Sequence, residues 1–154
     1  MKTKNHKTAA QLQEELFREK AQSYYMCFID ECPLREQCLR WLVGQYASTV
    51  QYYTMSVNPH HPQVGDDNCV LFQPNKRVKM KRGMTHFYHD MPGYLEHSIR
   101  TALIAAFGRK HYFEMRRGDR LITSQQQQVI LNTCHRFGWT APLVFDGEQE
   151  DYVW

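Results

Sequence analysis

The sequence predicts a single compact domain of the α+β class, with a cysteine-bearing helical N-terminal half packed on a helix–β-hairpin–helix C-terminal half. Apolar residues at helical spacing, bounded by proline, glycine or capping residues, indicate the helices. Short runs of β-branched and aromatic residues indicate the strands. With 154 residues, the chain is long enough for one domain with a substantial hydrophobic core.

The C-terminal half gives the clearest pattern. A helix is predicted over residues 92–108, where Pro and Gly open the segment and Gly closes it. HYFEM and RLIT, on either side of RRGD, predict a β-hairpin about Gly118. A second helix is predicted to begin at Thr123 or Ser124 and to end at Gly138.

The N-terminal half is predicted to contain two helices and a strand. Leu12, Leu16 and several good helix formers indicate a helix over residues 9–23. Pro33 suits the first position of a second helix, which extends to about Tyr46. The run STVQYYTMSV, which follows directly, is typical of a strand.

Charge divides the chain into three predicted regions: a flexible basic arm (1–8), a globular domain (9–145) and an acidic tail (146–154). The net charge of +3 conceals this division, because all nineteen Lys and Arg precede residue 146 while four acidic residues lie within residues 146–154. Such a division indicates either contact with a polyanion or a tail that folds back over a basic face.

The five cysteines are interpreted in the light of the predicted compartment. The sequence has no apolar run long enough for a membrane span, and its start lacks the apolar stretch of a signal peptide, so we expect a cytoplasmic protein without a membrane partner. Because the cytosol is reducing, patterned cysteines there more often bind metals or act in catalysis than form disulfides.

The strongest chemical signal is Cys27-x4-Cys32-x5-Cys38, followed thirty-one residues later by Cys69. Four thiolates can bind a tetrahedral zinc ion or an iron–sulfur cluster. We therefore predict a metal site at these four residues, with zinc as the metal and an iron–sulfur cluster as the alternative. Two other interpretations stay open: the cysteines are buried without a metal, or His60 or His61 replaces Cys69.

Two further groups of residues have simpler interpretations. Cys134 shares the apolar side of its predicted helix with Ile130 and is expected to be an inert core thiol. His86 and His89 could bind a metal only on a helix, where they would share a face. Surface histidines are the simpler interpretation.

A second candidate site is basic. Lys and Arg are dense in residues 76–82 and again around the predicted hairpin, with aromatic residues between them. Cationic side chains can neutralise phosphates, and exposed aromatic rings can stack on bases. The predicted nucleic-acid-binding residues are Lys76, Arg77, Lys79, Lys81, Arg82, Arg116 and Arg117.

The motifs CFIDECPLREQCLRWLV, VNP, CVLF, FGRKHYFEMRRGDRLITSQQQQVI and the closing DYVW together resemble an uncharacterised family of small bacterial proteins. The resemblance covers most of residues 24–154, and those proteins share the cysteine pattern with its downstream Cys-x2-Phe. It implies that the four cysteines form one set, but it implies no activity and no catalytic residue.

These observations predict a non-catalytic binding module, stapled by a cysteine-ligated metal and able to contact nucleic acid or a ribonucleoprotein. The sequence carries no Gly-rich phosphate loop, dinucleotide fingerprint or paired catalytic carboxylates. A small iron–sulfur redox or sensor protein is the first alternative, and a metal-free protein–protein adaptor is the second. The pattern leaves the oligomeric state and the identity of the partner open.

Overall fold

Helices and one small sheet make up the regular structure of the computed structural model, which describes residues 7–154. The α+β class is therefore confirmed. The backbone divides into an N-terminal unit, which extends to Lys76 and includes Trp154, and a C-terminal unit, Arg77–Val153. Most of the predicted basic arm (1–8) lies outside the described residues. In chain order the elements are α1 (Ala9–Lys20), a 3₁₀ turn (Arg35–Gln37), α2 (Leu39–Gly44), β1 (Val78–Arg82), α3 (Gly93–Phe107), α4 (Arg109–Arg117), α5 (Ser124–Arg136) and β2 (Gly147–Asp151).

Helix α1 begins with a capping box, which confirms the first predicted helix. The Thr8 hydroxyl accepts a hydrogen bond from the Gln11 amide, and the Gln11 side chain accepts one from the Thr8 amide. These bonds satisfy two amides that the helix itself leaves unpaired. The buried Phe17 ring packs edge-on against Tyr46 and Trp154, so α1 contributes its apolar face to the N-terminal unit.

The second predicted helix is interrupted at Cys38, so its prediction as one continuous helix was wrong. Cys38 has an extended backbone, with φ −96° and ψ 117°, and pairs with Pro74 in an antiparallel bridge. Next to it, the Leu39 amide donates to the Gln73 carbonyl at 2.7 Å. This pairing with a distant segment outweighs the local helix propensity and separates the 3₁₀ turn from α2.

The predicted strand over residues 48–57 was also wrong, because this segment joins no sheet in the part of the chain that the structure describes. Its one pairing is an isolated parallel bridge between Met26 and Ser56. The Arg40 side chain links two further segments of this unit that lie outside helices and strands, because it donates hydrogen bonds to the carbonyls of Leu71 at 2.9 Å and Tyr25 at 3.0 Å.

Helices α3 and α5 confirm the two helices predicted for the C-terminal half. Thr123 caps α5 in a second capping box, with Gln126 as its partner. The helices contribute to one buried cluster with the turn that follows β1. No helix within residues 7–154 combines the length and apolar character needed to cross a membrane. The buried cluster consists of Met84, Phe87, Tyr88, Met91, Ile99, Leu103, Tyr112, Met115, Ile122, Ile130 and Cys134.

The β-hairpin predicted about Gly118 was wrong, because the residues before it form helix α4. Tyr112 and Met115, three residues apart, lie on one helical face and are each 1% exposed. Gly118 ends the helix in the left-handed conformation, with φ 82°. The alternation that suggests a strand in HYFEM is therefore overridden by burial at helical spacing.

The sheet pairs β1 with β2, so the predicted acidic tail (146–154) contains a strand. The two strands are antiparallel, and Lys79 lies opposite Glu150 while Lys81 lies opposite Glu148. Successive side chains of a strand point to opposite faces, so these four charges share one face. The charge division was interpreted either as contact with a polyanion or as a tail that folds back over a basic face, and the pairing of β2 with the basic β1 agrees with the second interpretation.

Asp146 fixes the turn that follows β1. Its carboxylate accepts hydrogen bonds from the Thr85 amide and hydroxyl, from the His86 amide and from the His86 ring. Burial opposes ionisation of Asp146, but the bonds from Thr85 and His86 outweigh it and lower the pKa to about 2. Gly83, with φ +73°, leaves room for this carboxylate, which a Cβ atom there would strike.

We expect Asp146→Asn to lower the free energy of unfolding by about 1 kcal/mol at neutral pH, because a neutral amide accepts weaker hydrogen bonds. The native pKa is below the usual value of 3.8, so the contribution is complete above about pH 4 and disappears as the pH falls to about 2. The free energy of unfolding, measured in urea at several pH values across this range, should depend less on pH in the variant than in the wild-type protein. Asp90→Asn, at an exposed carboxylate of the same turn, should keep the native profile.

Candidate metal centre

All four predicted ligands, Cys27, Cys32, Cys38 and Cys69, line one small cavity of the N-terminal unit. The first three are buried, with 7–9% of each exposed, whereas Cys69 is half-buried. The cavity measures about 20 Å³, which is room for one water-sized particle. Four side chains separated by up to 42 positions in the chain thus surround one small space.

Local backbone turns place the first three cysteines. The Cys27 amide donates to the Arg40 carbonyl at 3.1 Å, which holds this residue against α2. Cys32 and Cys38 lie on either side of the 3₁₀ turn: the Cys32 carbonyl accepts from the Arg35 amide, and the Cys38 amide donates to the Arg35 carbonyl. The six-residue interval between these two cysteines is therefore folded into a compact turn.

Cys69 reaches the cavity from the loop between the two segments that pair with Met26 and Cys38. Its amide donates to the Asp66 carbonyl at 3.2 Å, and its carbonyl accepts from the Phe72 amide at 3.0 Å. Gly65 also lines the cavity and has φ +92°. A Cβ atom on Gly65 would lie 3.1 Å from the Ile29 side chain, so glycine permits the close approach of this loop.

The electrostatics of Cys27 show that the four thiols interact. Burial raises its pKa above the usual value of 9.0, and the thiols of Cys38, Cys32 and Cys69 raise it further. The Ile29 amide, which donates to the Cys27 sulfur, acts in the opposite direction. Each additional negative charge is therefore disfavoured unless a cation enters among the sulfur atoms.

Two arginines, which are not among the residues predicted from the sequence, line the same cavity. The Arg35 guanidinium donates to the Asp30 carbonyl and lies 5.8 Å from the centre of the Trp41 ring. Arg40 lies 4.9 Å from the centre of the Tyr24 ring. A signal was available in the sequence, because both arginines lie within three residues of Cys38.

Among residues 7–154, no group of three or more His, Cys, Asp or Glu side chains stands in the arrangement of a ready-made metal site. The four cysteines surround a common cavity without forming such a group. His60 and His61 do not line the cavity. The His61 ring accepts a hydrogen bond from the Gln63 amide at 3.2 Å, and the His86 ring contacts Asp146, so both histidines serve local turns.

The fifth cysteine lies apart from this cavity in the C-terminal unit. Cys134 is fully buried among the apolar residues of α3, α4 and α5. Burial raises the pKa of its thiol to about 11, so the neutral form dominates at physiological pH. Its position agrees with the expected core thiol.

Most of the predicted nucleic-acid-binding residues have partners within the C-terminal unit. The Lys81 ammonium lies 2.8 Å from the Glu148 carboxylate, and this hydrogen bond lowers the pKa of Glu148. Arg82 donates to the Gly118 carbonyl and to the Gln149 side chain.

The other predicted arginines of the C-terminal unit also contact rings or acids of that unit. The Arg77 guanidinium lies 5.2 Å from the centre of the Tyr152 ring, and the Arg116 guanidinium lies 5.8 Å from that of Tyr88. Arg117 forms a 2.8 Å ion pair with Asp119. Lys76, in the N-terminal unit, is exposed. The basic residues of the C-terminal unit are therefore interleaved with acids and rings rather than forming a uniform cationic surface.

The α+β fold with a four-cysteine cavity defines a small, cysteine-centred domain. Residues 3–154 match the model of DUF6078, a family of unknown function. The chain belongs to this family, and the match confirms the resemblance to an uncharacterised family. No curated protein and no solved structure matches the chain.

Proposed function

We propose that the protein is a non-catalytic binding module whose N-terminal unit is stapled by one zinc ion, held by Cys27, Cys32, Cys38 and Cys69. The observation that carries the proposal is the shared cavity of these four side chains. Four thiolates match the ligand set of structural zinc sites, and they leave no open position for a substrate or a reactive water.

The construction of the N-terminal unit supports a staple. Its regular structure amounts to α1, α2 and one 3₁₀ turn, and the described chain from residue 45 to Lys76 contains no helix or strand. Three of its buried apolar side chains are the cysteines themselves. Small units with limited cores commonly depend on disulfides or a structural metal, and the free thiols here offer the second solution.

Charge suits a four-thiolate metal site, and size favours a single zinc ion over a cluster. Four thiolates around a divalent ion leave two uncompensated negative charges, and the guanidinium-bearing Arg35 and Arg40 line the same cavity. A cavity of about 20 Å³ suits one ion. A four-iron cluster with its sulfides is several times larger and would require a wider expansion of the surrounding loops.

The test is the metal content of the gently purified full-length protein. We expect native mass spectrometry and elemental analysis to give one zinc per chain, in colourless protein. A brown protein with iron and acid-labile sulfide would replace the zinc proposal by the iron–sulfur alternative. Metal-free protein whose melting is unchanged by added zinc or by chelators would favour the adaptor and exclude the staple.

The proposal does not include nucleic acid as a partner. Lys79 and Lys81, the centre of the predicted basic surface, lie opposite Glu150 and Glu148. Acidic residues at this spacing repel phosphates and reduce the counterion release that drives such binding.

A further inference from the structure

Residues 50–57, which we name the tyrosine segment, expose an unusual amount of apolar surface in the N-terminal unit. Tyr52 and Tyr53 are 96% and 92% exposed, and Val50 is 84% exposed. Met55 is 40% exposed, and Tyr25, which precedes the paired Met26, is 58% exposed. Contiguous exposed apolar residues on a soluble surface commonly mark an interaction site.

The backbone of the tyrosine segment has one paired edge. The Met26 amide donates to the Met55 carbonyl, and the Val57 amide donates to the Met26 carbonyl, at 3.1 and 2.9 Å. Because alternate residues of an extended chain direct their polar groups to opposite edges, those of Thr54 and Ser56 face away from Met26. That outer edge can accept another extended chain.

Charge does not protect this edge. Residues 41–65 contain no Lys, Arg, Asp or Glu, although charged residues make up 23% of the chain. Exposed strand edges are normally guarded by charged side chains or by proline, which prevent unwanted pairing. Two copies of an uncharged segment can approach each other without electrostatic repulsion, so its composition is compatible with self-pairing.

We propose that the tyrosine segment is the interface of a homodimer, in which it pairs antiparallel with the same segment of a second copy. Two nearly fully exposed tyrosines can bury roughly 300–500 Å² per copy. Val50, Met55 and Tyr25 bring this towards the roughly 600–800 Å² per partner that specific interfaces bury. A two-fold arrangement places each copy's tyrosines against the other's and gives the outer backbone edge a pairing partner. This inference goes beyond the zinc staple and does not depend on it.

The test is the mass of the full-length protein in solution, measured by light scattering after gel filtration over a range of concentrations. We expect a dimer with a dissociation constant in the micromolar range or below. The double variant Tyr52→Ser with Tyr53→Ser should be monomeric at every concentration tested, since it removes the two most exposed rings. Tyr94→Ser, at a 75% exposed tyrosine on α3, is the matched control and should remain dimeric.

Hydrogen exchange supplies the second measurement, because it reports on the backbone. The amides of Thr54 and Ser56 should exchange more slowly in the wild-type protein than in the double variant. A monomeric wild-type protein, or a dimer that the double variant leaves intact, would overturn the proposal. Zinc content measured on the same samples keeps the two proposals separate, since a monomer with one bound zinc would refute only the dimer.

Discussion

Removal of zinc is expected to unfold the N-terminal unit. Structural zinc ions contribute about 10–16 kcal/mol of binding free energy in small domains, which is comparable with the whole stability of a typical protein. The indole N–H of Trp41, which donates to the Asp30 carboxylate at 3.0 Å beside the cavity, provides a local NMR probe. A strong chelator should move this signal to the random-coil position, and added zinc should restore it.

Substitution of the proposed ligands tests which side chains bind the zinc ion. Cys32→Ser and Cys69→Ser should each weaken zinc binding by more than about 100-fold, because changes outside the ligand set alone cost about 10- to 100-fold. The double variant His60→Ala with His61→Ala should bind zinc normally, since neither histidine lines the cavity. Cys134→Ala, in the other unit, should also retain one zinc. Normal zinc binding by Cys69→Ser together with a loss in the histidine variant would reassign the fourth ligand.

The pH dependence of zinc binding has a definite sign. Burial and the neighbouring thiols raise the pKa of Cys27, so this thiol keeps its proton at neutral pH when no metal is bound. Zinc must displace this proton to bind the thiolate, and its apparent affinity should therefore fall as the pH is lowered. Competition with a chromophoric chelator at several pH values measures this slope, and an affinity independent of pH would contradict thiolate ligation.

Local signals explain which elements could be predicted from the sequence. Helix α5 begins at a capping Thr123 and is followed within two residues by Gly138, so nearby residues specify both of its ends. Helix α4 lacks such a start: it follows α3 after the single residue Gly108, and neither its N-cap nor its first turn carries a capping or acidic side chain. From the sequence alone, its aromatic residues are therefore typical of a strand. The burial of Tyr112 on a helical face becomes evident only in the folded structure.

Long-range pairing accounts for what the sequence could not specify. Nothing near Cys38 indicates that it would pair with Pro74 and leave the helical conformation. The common cavity of the four cysteines was foreseeable from their clustering, because three of them lie within twelve residues and patterned cysteines commonly share a site. Arg35 and Arg40 lie close to Cys38 in the sequence, but this signal is weak because arginine is frequent on surfaces, and the folded turn is what brings both to the cavity.

Gly44, in α2, lies directly against the backbone that carries Cys27. A Cβ atom at this position would lie 2.7 Å from the Cys27 carbonyl oxygen and 3.4 Å from the Phe28 ring. Alanine normally favours a helix over glycine by about 1 kcal/mol. Here the collision involves backbone atoms that a side-chain rotation cannot relieve, so overpacking outweighs the gain in propensity.

We therefore expect Gly44→Ala to lower the free energy of unfolding of the zinc-loaded protein by about 2 kcal/mol, measured by urea denaturation. Because the shift moves Cys27, zinc affinity should fall by about tenfold or more in chelator competition. Gly93→Ala, at a helical glycine with no atom within 4 Å of the added Cβ, should leave stability unchanged or raise it by up to about 1 kcal/mol, and should leave zinc affinity unchanged. Equal effects of the two substitutions would show that Gly44 does not position Cys27.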